Sequence, residues 1–280
     1  MEYSPKKIKE LLDKYNFNLK KGLGQNFIID ENTINNIISK AEIDADTLVL
    51  EIGPGAGALT YKLSNVAQKV ICYEIDPTLK EILEVVLSDK NNVKVIYEDF
   101  LKANVLEMLK KETYKKLYVV ANLPYYITTP IIIKLIEDEI PVDKIVVMVQ
   151  KEVGDRFKSK PGSKSYGSLT VFLNYYFDIT KISDVSKNVF MPKPNVDSIV
   201  VAFKRKQSPL VVKNKPLFFK IIKDSFRQKR KTLRNNLIEY NLDIVKESLT
   251  KYKYDLSVRA EQLSLEVFID IANDLSDASD

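Results

Sequence analysis

Over its first two-thirds, this chain alternates short runs of apolar, β-branched residues with segments of helical periodicity, and this alternation limits its possible folds more than any other feature. It is typical of an α/β fold in which crossover helices connect the strands of a mostly parallel sheet. We therefore predict a seven-stranded, Rossmann-like sheet. The predicted strands are Thr47–Ile52, Lys69–Glu74, Val93–Tyr97, Leu117–Ala121, Lys144–Gln150, Ile179–Val185 and Ser198–Phe203.

Helical patterns fill the spaces between several of these strands. Helices are predicted at Leu59–Ser64, Pro77–Leu87 and Thr129–Glu137, and Asp30–Lys40 is predicted to be a helix capped by its first residue. Only the loop Ser186–Val196 separates the last two strands. We therefore expect an antiparallel hairpin to close an otherwise parallel sheet.

The pattern changes beyond Lys206, where Pro209 and Pro216 interrupt the chain. We predict a cofactor-binding α/β domain with an N-terminal helical extension over residues 1–206, and a small all-helical domain over residues 207–280. The short amphipathic helices predicted in the second domain are Phe218–Arg227, Thr232–Tyr240, Ile244–Lys251 and Ser264–Leu275.

Composition excludes several kinds of chemistry. The sequence has no histidine, so histidine acid–base catalysis, Ser–His triads and histidine-ligated metal sites are excluded. The single cysteine, Cys72, rules out an internal disulfide and argues against a cysteine zinc site, so no metal is expected.

No apolar run is long enough to span a membrane and Met1–Lys14 has no apolar signal core, which predicts a cytoplasmic protein. No spare apolar helix face is evident, which favours a monomer.

Positive charge is concentrated in one stretch. Residues 204–234 contain twelve Lys or Arg residues against one acid, Asp224, which gives the stretch a charge of +11. Because the whole chain carries +5, the remainder carries −6. A block of one sign favours a polyanionic partner over a merely solubilising face. The residues predicted to bind nucleic-acid phosphates are Arg227, Lys229, Arg230, Lys231 and Arg234.

A glycine-rich turn follows the first predicted strand. Leu48–Ile52 leads into Gly53, Gly55 and Gly57, which let the backbone turn tightly and approach a ligand closely. Taken alone, this turn is weak evidence for a ligand site, since a simple strand-to-helix turn has a similar sequence.

Nearby acids indicate which ligand the turn binds. Glu74 ends the second strand about 20 residues later, where an acid accepts hydrogen bonds from ribose hydroxyls, and Asp99 could accept one from an adenine amine. The third glycine follows the second by two residues, not by three as in the dinucleotide fingerprint. Glu51 would lie poorly beside a pyrophosphate but well beside a cationic amino acid group. Both departures favour S-adenosylmethionine over NAD.

The loop Asn122-Leu123-Pro124-Tyr125 follows the fourth strand, at the end where open α/β sheets bind ligands. The N6 amine of adenine is a poor nucleophile because its lone pair is delocalised into the ring. Asn122 Oδ1 and the Leu123 carbonyl are suitable acceptors for its two hydrogens, with Pro124 fixing the turn and Tyr125 offering a stacking face. No strong base is needed, so the absence of histidine is consistent with this chemistry.

The position of Cys72 favours nitrogen as the methylated atom. Carbon methylation of pyrimidines generally requires a thiolate nucleophile on an accessible loop. Cys72 lies inside the apolar strand Val70–Tyr73 and is predicted to be part of the core.

Eight runs of residues also carry a family resemblance: Gly24–Phe27, Glu51–Gly57, Glu74–Asp76, Glu98–Phe100, Asn122–Tyr125, Val149–Glu152, Phe190–Ser198 and Phe226–Leu237. In order and spacing they resemble the KsgA family, also called RsmA, from about Lys20 to about Leu275. Members of this family are small-subunit ribosomal RNA adenine dimethyltransferases of the class I methyltransferase fold.

The resemblance implies roles for residues on the cofactor side. Asn26 and Ile28 would hold the methionine end of S-adenosylmethionine, although the family often has Leu at the second position. Gly53 would line the cofactor, Glu74 would bind its ribose and Asp99 its adenine.

On the substrate side, Asn122 would serve both cofactor and target pocket, while Tyr125 and Phe190 would sandwich the flipped base. Without the resemblance, Phe190 could equally be a loop anchor packed on the core. The substrate implied is a pair of adjacent adenines in a hairpin loop near the 3′ end of 16S rRNA, each methylated twice, in the small subunit or its precursor. Residues 207–280 would dock on that RNA.

Three alternatives remain at this point. An Erm-type enzyme would methylate an adenine of 23S rRNA with the same motifs, although Tyr126 and Phe226–Leu237 look more like KsgA. A DNA adenine methyltransferase has a similar loop to Asn122–Tyr125. A catalytically silent RNA-binding assembly factor is disfavoured by the intact acids and amide of the proposed site.

Overall fold

The structure is a computed structural model that describes residues 5–15, 17, 20–124, 127–207 and 210–278. The chain divides into two compact units. The first, here called the sheet unit, comprises Met1–Gly154 and Thr180–Lys204. The second, here called the helical unit, comprises Asp155–Ile179 and Arg205–Asp280.

The strands of the described residues belong to two sheets. They are β1 (Phe27–Ile28), β2 (Thr47–Ile52), β3 (Lys69–Tyr73), β4 (Val93–Ile96), β5 (Lys116–Asn122), β6 (Lys144–Gln150), β7 (Phe177–Val185), β8 (Phe190–Met191) and β9 (Ser198–Arg205). Seven of them form one sheet in the order β4-β3-β2-β5-β6-β9-β7, and β1 pairs with β8 in an antiparallel ribbon.

The large sheet is parallel from β4 to β6, and β9 runs antiparallel to β6. All six residues of β2 are buried, as expected of a central strand covered on both faces. The register pairs Ile52 with Tyr73 and Tyr73 with Ile96, so β2, β3 and β4 end level with one another. Glu51 pairs with Val120, which brings the end of β5 to the same edge.

Helices connect these strands and form the C-terminal part of the chain. Asp30 caps α2 by accepting a hydrogen bond from Thr33 N at 2.7 Å, as predicted. The helices of the described residues are α1 (Pro5–Lys14), α2 (Glu31–Ala41), α3 (Ala58–Leu63), α4 (Lys80–Val86), α5 (Val105–Leu109), α6 (Thr128–Glu137), α7 (Lys151–Phe157), α8 (Ser168–Tyr176), α9 (Lys215–Ser225), α10 (Leu233–Asn236), α11 (Leu242–Thr250) and α12 (Leu265–Asp277).

The predicted α/β fold and the mostly parallel seven-stranded sheet are confirmed among the described residues. The two strands of the predicted hairpin, β7 and β9, are neighbours in the sheet, and β9 runs antiparallel to β6. The 77–87 segment begins as the 3-10 turn Pro77–Leu79 before it becomes α4. The β1–β8 ribbon and helices α1, α5, α7 and α8 were not predicted. Within the described residues, no helix combines the length and apolar character that crossing a membrane requires.

The division into units differs from the predicted one in residues 155–179, which we expected in the α/β domain. The physical reason is packing. Val171 and Tyr175 of α8 belong to the same buried cluster as Phe218 and Phe268 of the C-terminal helices. The buried Tyr166 hydroxyl also donates to the Leu263 carbonyl at 2.9 Å. The segment therefore completes the core of the helical unit.

Replacing Tyr166 by Phe tests this packing. The Leu263 carbonyl would lose its buried donor, and we expect the free energy of unfolding to fall by about 1–2 kcal/mol in urea denaturation. Tyr254→Phe is the matched control. Tyr254 is exposed, and its hydroxyl makes only a long hydrogen bond, of 3.4 Å, to the Gln262 carbonyl. Equal effects of the two substitutions would contradict the assignment.

Candidate active site

A cavity of about 270 Å³ lies where the parallel strands end. Its wall combines the turns that follow β2, β3, β4 and β5 with the N-terminal segment that contains β1. Asn26, Gly53, Glu74, Asp99 and Asn122, which are far apart in the sequence, all line it. The level ends of the strands bring these residues together.

The predicted site residues are distributed as follows. Of the predicted target-base residues, Leu123 and Pro124 line the cavity, and Tyr125, like Tyr126, lies outside the described residues. All of the predicted cofactor residues line the cavity: Asn26, Ile28, Gly53, Gly55, Glu74, Asp99 and Asn122.

Phe190 is the exception among the described site residues. Its ring is 3% exposed, belongs to the core of the sheet unit and is absent from the described lining of the cavity. It lies opposite Ile28 in the β1–β8 ribbon. The structure therefore places Phe190 one strand away from the cavity, as a core residue.

The glycine-rich turn needs glycine for two reasons. Gly53, Gly55 and Gly57 have φ values of +71°, +58° and +83°, which other residues adopt only at a cost. A Cβ atom on Gly55 would also lie 2.9 Å from the ring of Phe27. The turn and the N-terminal segment are thus in direct contact across the cavity wall.

Glu74 is held rigidly at the edge of this turn. It is 4% exposed, and its two carboxylate oxygens accept hydrogen bonds from Gly55 N at 3.1 Å and from Asp76 N at 2.8 Å. Burial raises the pKa of Glu74, although these backbone donors oppose the shift. A carboxylate has further lone pairs, so Glu74 can also accept hydrogen bonds from a ligand hydroxyl.

Glu51 lies on β2 beneath the turn and lines the cavity, yet it is almost entirely buried. Burial raises its pKa to about 8, and the nearby Glu74 adds to the shift. The Cys72 thiol donates to Glu51 Oε2 at 3.6 Å. Burial, together with Glu51, raises the pKa of Cys72, so this thiol is unsuited to be a nucleophile, as expected from the sequence.

Asn122, the last residue of β5, has a fixed amide. Its Nδ2 donates to the Asn26 carbonyl at 2.9 Å. This bond sets the plane of the amide and turns Oδ1, its acceptor atom, away from that carbonyl. The chain then turns at Pro124, whose carbonyl accepts from Ile127 N at 3.1 Å, and enters α6.

Asp99 follows β4 at the rim of the cavity. Its Oδ1 accepts from Leu101 N at 3.0 Å, and its Oδ2 is 3.8 Å from Lys102 Nζ. The carboxylate is therefore oriented by its own turn, and Asp99 forms part of the cavity lining.

Reasoning from residue types alone missed the N-terminal wall of the cavity. Ile8 of α1, Leu23, Gly24 and Phe27 all line it. The only signal for this wall in the sequence was the motif Gly24–Phe27 of the family resemblance. No local periodicity predicts that a segment 25–50 residues before a glycine-rich turn folds over it.

The predicted RNA-binding residues lie in the helical unit and are all exposed. Lys229 Nζ donates to the Lys164 carbonyl at 2.7 Å, so the loop around residue 164 adjoins this basic stretch. Lys160 and Lys164 are exposed on that loop. We define the basic surface as Lys160, Lys164, Arg227, Lys229, Arg230, Lys231 and Arg234.

Comparisons with known proteins give consistent results. The family described as "Ribosomal RNA adenine dimethylase" matches residues 16–277. Proteins named "Ribosomal RNA small subunit methyltransferase A" from the Staphylococcus aureus strains bovine RF122 / ET3-1 and JH9 are each 48% identical to this chain over 274 residues, which is 95% of this chain and 92% of theirs.

Two solved structures share the fold over most of the chain. A dimethyladenosine transferase from Plasmodium falciparum has a TM-score of 0.73 at 27% identity, over 88% of this chain and 95% of that chain. The 23S rRNA methyltransferase ErmE has a TM-score of 0.72 at 26% identity, over 89% of this chain and 99% of that chain.

The raised pKa of Glu51 predicts how stability depends on pH. A carboxyl whose folded pKa is about 8 stabilises the folded state fully below its ordinary pKa of 4.5, and this contribution is lost as the pH rises through 8. Glu51→Gln cannot ionise, so the ligand-free variant should gain stability relative to the wild type between pH 5 and pH 9. At about 1.4 kcal/mol per pKa unit, the gain is a few kcal/mol.

Urea denaturation at the two pH values measures this gain. Glu81→Gln, at an exposed position on α4, is the control and should show no pH-dependent difference from the wild type. A constant difference between Glu51→Gln and the wild type at both pH values would contradict the prediction.

Proposed function

Because this chain belongs to the ribosomal RNA adenine dimethylase family, we propose that it dimethylates the N6 amines of adenines in small-subunit ribosomal RNA, using the cavity at the ends of β2 to β5. Family membership makes it an S-adenosylmethionine-dependent rRNA adenine dimethyltransferase. The observation that carries the assignment of the site is the orientation of the Asn122 amide beside Gly53 and Glu74 in one cavity.

The residues of the cavity fit S-adenosylmethionine chemically. This cofactor supplies a methyl group bound to a positively charged sulfur. The buried Glu74 carboxylate, already oriented by two backbone donors, suits a ribose diol, and Asp99 suits the adenine amine. Asn26 and Ile28 would hold the methionine end of the cofactor. The cationic amine of that end would then lie near the acid Glu51. Gly53 and Gly55 leave room for close approach of the backbone.

The target base needs two acceptors for its N6 hydrogens. With its Nδ2 engaged by Asn26, Asn122 would present Oδ1 to one hydrogen, and the Leu123 carbonyl would take the other. This leaves the nitrogen lone pair directed at the methyl carbon, so that the rate depends mainly on placement and desolvation. Once methylated, the nitrogen carries a positive charge and an acidic N–H, and the proton can leave without a strong base.

Aromatic contacts to the base complete the proposal. Tyr125 would stack on the flipped adenine, as the resemblance implies. Phe190 could do so only after its side chain turns out of the core, since it is 3% exposed here. Support for the stacking role of Phe190 comes from the family resemblance alone.

The small subunit is favoured over the large one as the substrate. The relatives named for the small subunit are 48% identical over 95% of the chain, whereas the 23S enzyme ErmE is 26% identical. We therefore extend the proposal to the two adjacent adenines near the 3′ end of 16S rRNA, each methylated twice, in the assembled subunit or its precursor. This substrate would place the chain in the cytoplasm.

The basic surface is the proposed phosphate-binding region of the helical unit. It joins side chains from residues 227–234 with Lys160 and Lys164. Exposed cations of one sign bind RNA backbone phosphates with little dependence on sequence.

The decisive test is mass spectrometry of nucleosides after the protein and S-adenosylmethionine are incubated with unmethylated 30S subunits and, separately, with protein-free 23S rRNA. Dimethyladenosine confined to 16S rRNA is the expected product. Dimethyladenosine in 23S rRNA would replace the substrate with the Erm alternative, and the absence of any methylated adenosine would overturn the proposal.

Asn122→Ala removes the acceptor proposed for N6. We expect kcat for methyl transfer to fall by about 100-fold or more, the usual cost of losing one oriented polar group at a reacting centre, while binding to 30S subunits changes little. Radioactive methyl transfer and subunit co-sedimentation measure the two properties. Asn65→Ala, an exposed site outside the cavity, is the control. Retained transfer in Asn122→Ala would disprove the assignment.

Arg230→Glu tests the basic surface. We expect the KM for 30S subunits to rise several-fold and the dependence of log Kd on log salt to become shallower by about one unit per lost phosphate contact. Lys246→Glu, at an exposed position on α11 outside the basic surface, makes the same charge change as a control. Identical salt dependence in the two variants would count against the surface.

A further inference from the structure

Asp76 lies two residues beyond Glu74 but makes a different set of contacts. It is 1% exposed and is absent from the described lining of the cavity. Part of its role is local: its Oδ1 accepts from Thr78 N at 3.1 Å and from Thr78 Oγ1 at 2.6 Å, which caps the 3-10 turn Pro77–Leu79.

The same carboxylate also binds two residues from the N-terminal segment. Lys20 Nζ lies 2.6 Å from Asp76 Oδ1, and Gln25 Nε2 donates to Oδ2 at 2.8 Å. Gln25 Oε1 in turn accepts from Lys20 N at 2.9 Å, so the three residues form a closed ring. Burial raises the pKa of Asp76, but the hydrogen bonds from Lys20, Thr78 and Gln25 outweigh it and hold the pKa below its ordinary value.

The segment held by this ring reaches the reacting end of the cavity within a few residues. Gly24–Asn26 belongs to no helix or strand, so side-chain bonds are needed to set its position. Asn26 Nδ2 donates to the Gly24 carbonyl at 3.0 Å, and the Asn26 carbonyl accepts from Asn122 Nδ2. One short segment therefore connects Asp76 to the amide of Asn122.

We infer that Asp76 is a positioning residue for methyl transfer: it fixes the Lys20–Ile28 segment against the cavity and, through Asn26, orients the Asn122 amide. The inference rests on the proposed function of the cavity. Asp76 touches neither the cofactor nor the base in this scheme, and it acts through Lys20 and Gln25.

Two kinetic effects follow, because the segment has two roles. Gly24, Asn26 and Ile28 line the cavity, so loosening them weakens cofactor binding. Loss of the bond to the Asn26 carbonyl releases the Asn122 amide, which lowers the rate of the chemical step. A residue that merely stabilised the fold would change neither KM nor kcat of the folded fraction.

Asp76→Asn is the primary variant. Its amide nitrogen would face either Lys20 Nζ or Gln25 Nε2, so a donor would meet a donor. We expect the KM for S-adenosylmethionine to rise about tenfold and kcat to fall about tenfold, because charge-assisted hydrogen bonds are the ones lost. Hydrogen exchange of the ligand-free protein should show faster exchange in residues 20–28, which is a readout independent of activity.

Asp44→Asn is the matched control. Asp44 accepts from the same kinds of donor, namely a lysine (Lys116), a threonine hydroxyl (Thr47 Oγ1, 2.7 Å) and a backbone N–H two residues on (Asp46, 3.1 Å). It lies in the turn before β2, at the opposite edge of the sheet from the cavity. The control should leave KM, kcat and exchange of residues 20–28 unchanged.

Variants of the two donors keep the inference testable if Asp76→Asn folds poorly, and a double-mutant cycle adds to the test if it folds. Lys20→Met and Gln25→Leu remove the donors on the segment and leave the Thr78 turn intact. Each should raise the KM for the cofactor, and Lys20→Met combined with Asp76→Asn should cost less than the sum of the single effects, because both remove one bond.

The outcomes separate this inference from the proposed function. If the wild-type protein transfers no methyl group to 30S subunits, the proposed function fails. If the wild type is active while Asp76→Asn or Lys20→Met keeps wild-type KM and kcat and wild-type exchange in residues 20–28, Asp76 is only a turn cap and the inference is overturned.

Discussion

Parallel pairing of β2, β3, β4 and β5 is the constraint on which the rest of the site depends. Parallel strands in register end at one edge, and the chain must leave that edge through turns whose backbone and side-chain polar groups face solvent or a ligand. Gly53 and Glu74 come directly after such a strand, Asn122 ends one, and Asp99 lies in the turn that follows β4. Their convergence is therefore a consequence of sheet register.

Three neighbouring carboxyl groups at this edge differ in pKa and in hydrogen-bond partners because their surroundings differ. Burial dominates the pKa of Glu51, which rises to about 8 despite the opposing side chains of Thr60 and Cys72. Glu74 is buried but is bound by two backbone N–H groups, which orient it. Asp76 has a cation and an amide as partners and stays ionised. Contacts from the N-terminal segment, together with the Thr78 hydroxyl, distinguish the third case from the others.

Much of the sheet could be predicted because the signals for it are local. The strands were placed within one or two residues, since a buried parallel strand is a short apolar run whatever surrounds it. The glycines and acids that follow those strands were also found in advance. They now line one cavity, although their roles towards cofactor and base are proposals. The exposed Arg and Lys residues of 227–234 were visible from charge alone.

What remained hidden depends on contacts between distant parts of the chain. The sequence alone determined the α/β fold, the positions of the strands and the residues that follow them, because periodicity and turn chemistry are local. The order of the strands in the sheet came only from the structure. Only the tertiary structure decided that Phe190 is buried opposite Ile28, that residues 155–179 join the helical unit, and that Lys20 and Gln25 bind Asp76. Each of these pairs lies more than 50 residues apart or is chosen by a shared hydrophobic core, and no local pattern specifies a partner at that distance.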